Sequence, residues 1–240
     1  MPYKEFLLEN QLPVRIYKRR KARHLRLSID AAGNIKVSVP AWASYRSGLD
    51  FAKSKNQWIQ KNYKPKDILD DGQPIGKAHH LAFKPSLTSK QPTVRISGSL
   101  ITITHPATAN ISDDDVQAAA ERGSLRALKY QAETLLPQRL NSLALKHRLE
   151  YNSLSIKKMK SRWGSCDINK DIVLNLFLMQ VPWELIDYVI IHELTHTQVL
   201  RHGPDFWNYI ESLLPDAKSY RKKLRSHQPV MNGSPVYPVS

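Results

Sequence analysis

In the run Val181-Pro182-Trp183-Glu184-Leu185-Ile186-Asp187-Tyr188-Val189-Ile190-Ile191-His192-Glu193-Leu194-Thr195-His196, the pair Val181-Pro182 opens a helix. The run then repeats apolar residues at helical spacing. Leu185, Ile186, Val189, Ile190 and Leu194 fall on one face, so the sequence predicts a long helix with that face against a core. His192 and His196 are four residues apart, one helical turn, and their imidazoles project from the same side. Glu193 lies about 100° around the helix from His192, where it stands beside a bound ion rather than on it. From there it can hold and deprotonate a water.

Two histidines leave a catalytic zinc site incomplete, because such a site takes three protein ligands and keeps a fourth position open. His202 follows six residues after His196, and the neighbouring Arg201 and Gly203-Pro204 mark a helix end where the backbone can turn it back toward the ion. Three neutral imidazoles suit Zn(II), one ion per chain, better than magnesium or calcium, which prefer oxygen. The reading is a zinc-dependent hydrolase, a peptidase by its chemistry, with Glu193 taking the proton of the attacking water. A purely structural zinc site would leave Glu193 without a purpose. The spacing of the three histidines also matches the metzincin pattern, but Val199 stands where that pattern has glycine, and a β-branched residue disfavours the tight turn.

Upstream of this helix, Leu154–Lys160 and Ile172–Met179 read as two strands flanking a turn at Trp163-Gly164-Ser165-Cys166-Asp167. Before them, Ser112 caps a helix that starts with Asp113, Asp114 and Asp115 and continues to about Glu150, with Pro137 as a kink or restart. The first 110 residues are β-rich. Val14 and Ile16, then Leu25, Leu27 and Ile29, then Ile35, Val37 and Val39 alternate with polar residues, and Ala32-Gly33-Asn34 closes a hairpin. Ser44 caps a helix from Tyr45 to Asn62, followed by Pro65. Short strands follow at His80–Phe83, Val94–Ser97 and Leu100–Thr104, and His79, His80 and His105 read as surface loop residues. After the metal motif a last helix runs from Pro204 to Leu214, and the Pro- and Gly-bearing tail beyond Ser226 reads as disordered. The expected organisation is α+β, with a β-rich subdomain over 1–110, a zinc peptidase core over 111–226 and a tail over 227–240.

At 240 residues the chain can bury a core without staples, so metal is not needed for folding. A single cysteine, Cys166, excludes an internal disulfide and any site built on several thiolates. No apolar run is long enough to span a membrane, and Met1–Gln11 lacks the pattern of a signal peptide, so the expected location is cytoplasmic. Lys and Arg exceed Asp and Glu by 36 to 21, a net charge of +15. That balance admits a nucleic-acid partner or a solvated basic surface, and the run Lys18-Arg19-Arg20-Lys21-Ala22-Arg23-His24-Leu25-Arg26 admits a nucleic-acid patch but more readily a hairpin edge guarded by charge. The rival to the hydrolase is therefore a nucleic-acid-binding protein with a structural or vestigial zinc.

Taken together, Ser161-Arg162-Trp163-Gly164-Ser165-Cys166, Leu174-Asn175, His192-Glu193-Leu194-Thr195-His196 and His202-Gly203-Pro204-Asp205-Phe206-Trp207 resemble the YgjP-like metallopeptidases, relatives of SprT-like and WLM proteases. Asp71-Gly72-Gln73-Pro74-Ile75-Gly76 extends the resemblance into the N-terminal half. The resemblance implies a minimal gluzincin-like zincin core, with an active-site helix, a backing helix and a small sheet whose edge strand lines the cleft. It also implies His202 as third ligand and, for SprT-like relatives, a link to DNA; the substrate does not carry over, and a protein or peptide is expected from the hydrolase chemistry alone. Within the motif, Arg162 is a candidate to stabilise an oxyanion or hold a substrate carboxylate. Cys166 could be a fourth ligand, a redox switch or a small buried residue.

Overall fold

The computed structural model describes residues 3–9, 11–30, 33–63, 68–229 and 231. The chain divides into two compact units, Met1–Asp67 and Ile68–Ser240. The division falls at residue 67 rather than near 110, because the sheet formed after residue 68 packs on the long helix that follows it. Most of the expected tail, and Pro65, lie outside the described residues.

In the first unit, β1 (Tyr3–Leu7), β2 (Pro13–Arg19), β3 (Arg26–Ile29) and β4 (Ile35–Pro40) form one sheet in the order β1-β2-β4-β3. The β2–β4 pair is parallel and the others are antiparallel. The alternation seen in sequence becomes a buried face of Val14, Ile16, Ile35, Val37 and Val39. At the turn into β4, Gly33 takes φ 76°, a left-handed conformation open to glycine, and Ala31 and Ala32 are not described. Ser44 caps the next helix as expected, its side chain accepting from the Ser47 N–H. The helix is not continuous to Asn62. It divides at Lys55 into α1 (Tyr45–Ser54) and α2 (Asn56–Asn62), and no Pro or Gly marks the break in the sequence.

In the second unit, β5 (Pro74–Ile75), β6 (His79–Ser86), β7 (Thr93–Ser97) and β8 (Leu100–Pro106) form a sheet in the order β5-β6-β8-β7, with β6 and β8 parallel. His79 and His105 are not loop residues. They lie on β6 and β8 and are buried, and Gln131 Nε2 meets His79 Nδ1 at 2.8 Å. The helix α3 (Asp114–His147) runs unbroken through Pro137, and its N-cap is Asp113 rather than Ser112. Gly123 lets α3 come close to the sheet, since a Cβ there would stand 2.8 Å from both Ile101 and Val94.

A second, three-stranded sheet follows, built from β9 (Ser153–Lys157), β10 (Gly164–Cys166) and β11 (Asp171–Asn175) in the order β10-β11-β9. Gly164–Cys166, expected as a turn, is thus an edge strand. Its local composition disfavours a strand, but pairing with β11 from Gly164↔Leu174 to Cys166↔Ile172 prevails. The strand expected over Ile172–Met179 ends at Asn175 and gives way to a 3-10 helix, Leu176–Gln180. Then come α4 (Trp183–His196), α5 (Pro204–Leu213) and α6 (Ala217–Leu224). The last of these was hidden because only Ala217 and Leu224 of its eight residues are buried, too few for a visible apolar period. Among the described residues no helix is long and apolar enough to cross a membrane.

Candidate active site

Helix α4 carries the motif into the core on the face that the sequence indicates, with Leu185, Ile186, Val189, Ile190 and Leu194 all buried. Arg139 of α3 holds it from the side, donating from Nε and a terminal nitrogen to the two carboxylate oxygens of Asp187, a forked pairing. At the start of α4, Lys77 Nζ donates to the Val181 carbonyl at 2.5 Å and lies over the Trp183 ring.

The helix stops directly after His196. Thr195 Oγ1 donates back to the Ile191 carbonyl and Thr197 Oγ1 to the Leu194 carbonyl, which closes the last turn. The chain then curls so that His202 Nε2 comes to 3.1 Å from His196 Nε2 and 2.9 Å from His192 Nε2. One nitrogen from each of the three rings lies within 4.8 Å of the others. Behind them sits Phe206, fully buried, with its ring centroid 4.9, 4.6 and 4.7 Å from those of His192, His196 and His202. Pro204 at the start of α5 and Phe206 within its first turn place this ring.

The donor set fits a metal ion. Zinc bound to imidazole at ~2.0–2.1 Å in tetrahedral geometry sets its nitrogens about 3.3 Å apart, close to the spacings found here. His196 Nδ1 stands 3.2 Å from the Val199 carbonyl oxygen, which can only accept, so the proton sits on Nδ1 and Nε2 offers a lone pair. Burial lowers the pKa of all three rings, that of His192 to about 3 with the neighbouring His196, His202 and Arg221 adding to the effect. All three shifts favour the neutral imidazole, the form that binds a metal. His192 Nδ1 is buried and has no hydrogen-bond partner among the described residues.

Glu193 is buried, and burial pushes its carboxyl up to about 8 while the charge of Arg162 opposes the rise. The carboxyl lies against Gly164 of β10, where a Cβ would fall 2.6 Å from Glu193 Oε1. This contact accounts for the glycine in Trp163-Gly164-Ser165-Cys166, which spacing alone could not assign. A cleft of about 490 Å³ opens beside His192 and Glu193, lined also by Trp163, Tyr188 and Arg221. Arg162, the expected oxyanion partner, does not line it; its side chain is exposed and its reach is to Glu193. Cys166 is half-buried, its thiol pushed up to about 11 by burial, with Glu193 adding, and it stands apart from the three clustered imidazoles. Tyr188, Phe206 and Arg221 were not assigned a role from sequence, although Tyr188 lies one turn before His192.

Comparison with known proteins gives a family. The model of the YgjP-like metallopeptidase domain matches residues 23–227. No curated protein matches. Among solved structures, the metallopeptidase zymogen of Pyrococcus abyssi abylysin is 19% identical with a TM-score of 0.35, and that of Methanocaldococcus jannaschii jannalysin is 24% identical with a TM-score of 0.34. Each covers 38% of this chain and is itself covered over 93% of its length. The family match runs from β3 through the imidazole cluster to the end of α6, so the chain belongs to the YgjP-like metallopeptidases and is a metal-dependent peptidase.

Proposed function

We propose that the chain is a zinc peptidase that hydrolyses amide bonds, with His192, His196 and His202 holding one zinc ion and Glu193 as general base. The observation that carries this reading is the convergence of three Nε2 atoms, beside a buried carboxyl on the same helix. Bound there, zinc supplies a Lewis acid that polarises a carbonyl and makes a water more acidic.

The chain's own groups do the rest. Glu193 takes the proton of the attacking water at a carboxylate oxygen and returns it to the leaving nitrogen. Its high affinity for a proton, from burial, makes it a stronger base than an exposed carboxylate once ionised, and Arg162 favours the ionised form. Gly164 leaves the carboxyl room to lie against β10, and Phe206 fixes the three rings from behind. The substrate is a protein or peptide, laid in the cleft between β10 and α4.

The test is a pair of substitutions with two readouts. Glu193→Gln is expected to lower kcat at least ~10³-fold while about one equivalent of zinc stays bound. His202→Ala is expected to lose zinc. Full activity of the first, or unchanged zinc content of the second, would overturn the assignment.

A further inference from the structure

The lining of the cleft is uneven in charge. Among the described residues Glu193 is its sole acid and is buried, whereas Lys160, Arg221 and Arg225 stand exposed at the rim with His227 nearby. Among the described residues none of these three cations makes an ion pair. Arg221 is nonetheless held in place. Its guanidinium lies 4.6 Å over the Trp207 ring, and that ring is 6.1 Å from His202 and 6.4 Å from His192. Arg225 follows one helical turn later, so both guanidinium groups come from the same side of α6. Tyr188 lines the same cleft, its ring packed between His192 at 5.8 Å and Tyr220 at 6.4 Å. Tyr188 is buried, and its phenol is a hydrogen-bond donor within the cleft.

A surface arginine is usually a solvated charge. Here a positioned guanidinium, a second cation of the same sign and a buried phenol line one cleft with His192 and Glu193. We propose that this rim captures a carboxylate of the substrate, an acidic side chain or the free C-terminus, and makes the enzyme selective for acidic peptides. The planar fork of arginine matches the two oxygens of a carboxylate, and a basic side chain at the same position would be repelled. The cleft volume suits one or two peptide side chains rather than a groove that tracks a nucleic-acid backbone. The proposal rests on the peptidase reading of this cleft, and its test must separate the two.

The zinc-loaded full chain is given internally quenched peptides that differ only in carrying Glu, Gln or Lys at each position flanking the scissile bond, with free or amidated C-termini. The Glu or free-acid peptide is expected to exceed its neutral counterpart at least ~10-fold in kcat/KM. Loss of the preference on amidation assigns the α-carboxylate, and dependence on Glu position assigns a side chain. The double variant Arg221→Glu with Arg225→Glu should reverse the order in favour of Lys. Arg225→Glu alone, which leaves the Arg221–Trp207 contact intact, should weaken the preference and controls for misfolding of the double variant. Equal rates for Glu and Gln, or variants that slow all peptides by one factor, would overturn the proposal.

Binding of the same peptides to the Glu193→Gln variant, read by fluorescence anisotropy, measures the preference without turnover. Tight binding of acidic peptides by the variant, with none of them cleaved by the zinc-loaded wild-type chain, would sink the proposed chemistry and leave the carboxylate site standing. Binding without preference, or a single-stranded DNA oligonucleotide bound through Arg221 and Arg225 in its place, would remove the carboxylate site.

Discussion

A missing side chain decides where the carboxyl of Glu193 rests. Gly164 meets Glu193 Oε1, Cγ and Cδ at would-be Cβ distances of 2.6, 2.8 and 2.9 Å, and Glu193 is too buried to swing aside freely. Gly164→Ala is therefore expected to displace the carboxyl and lower kcat roughly 10- to 100-fold while zinc content stays the same, since misplacement by about 1 Å can cost that much. Peptide kinetics beside metal analysis checks it, and an unchanged kcat would show that the carboxyl finds another seat at no cost. The two residues are 29 apart in sequence, and nothing in either one's neighbourhood announces the contact. His202 is the opposite case, since a histidine just past a helix end bounded by Gly203-Pro204 is conspicuous in the sequence.

At the level of elements, the segment that leads into β10 has little packing of its own and is held by Asn175. This fully buried amide donates from Nδ2 to the carbonyls of Met159 and Arg162, both at 2.8 Å, while its Oδ1 accepts from the Phe177 N–H and caps the 3-10 helix. Asn175→Ala leaves two carbonyls and one N–H to find other partners, a cost of about 2–4 kcal/mol. For a unit of this size the melting temperature should fall by roughly 2–4 °C for each kcal/mol. Thermal unfolding measures the loss, and a change of less than one degree would mean that water takes over all three bonds. The Leu174-Asn175 pair was visible as part of a motif, but the sequence could not say that its amide holds the strand lining the cleft. Strong periodicity made α4 legible from end to end, whereas β10 and α6 rest on pairing and on two buried residues, which leave no periodic trace.

For the whole molecule, two apolar clusters with no residue in common give each unit its own core. All three imidazoles belong to the second unit, so zinc should stabilise residues 68–240 alone. At a free concentration of about 1,000 times Kd the gain is about 4 kcal/mol. Calorimetry is expected to show two transitions, of which zinc raises one and a chelator lowers the same one. A single transition that moves as a whole would mean that the units unfold together. Ten of the fifteen net positive charges fall in residues 1–67, so the basic balance of the chain is mostly a property of the first unit and not of the cleft.

The metal motif, the helix that bears it, the alternating strands of the first unit and the α+β class were determined by the sequence, because each depends on residues within a turn or two of one another. The seat of Glu193 against Gly164, the burial of His79 and His105, and the ring of Phe206 behind three imidazoles were decided by tertiary structure. So was the approach of Arg221 to the cleft. These are contacts between elements far apart in the chain, and burial shifts a pKa only after such elements have closed around the group and taken its water away.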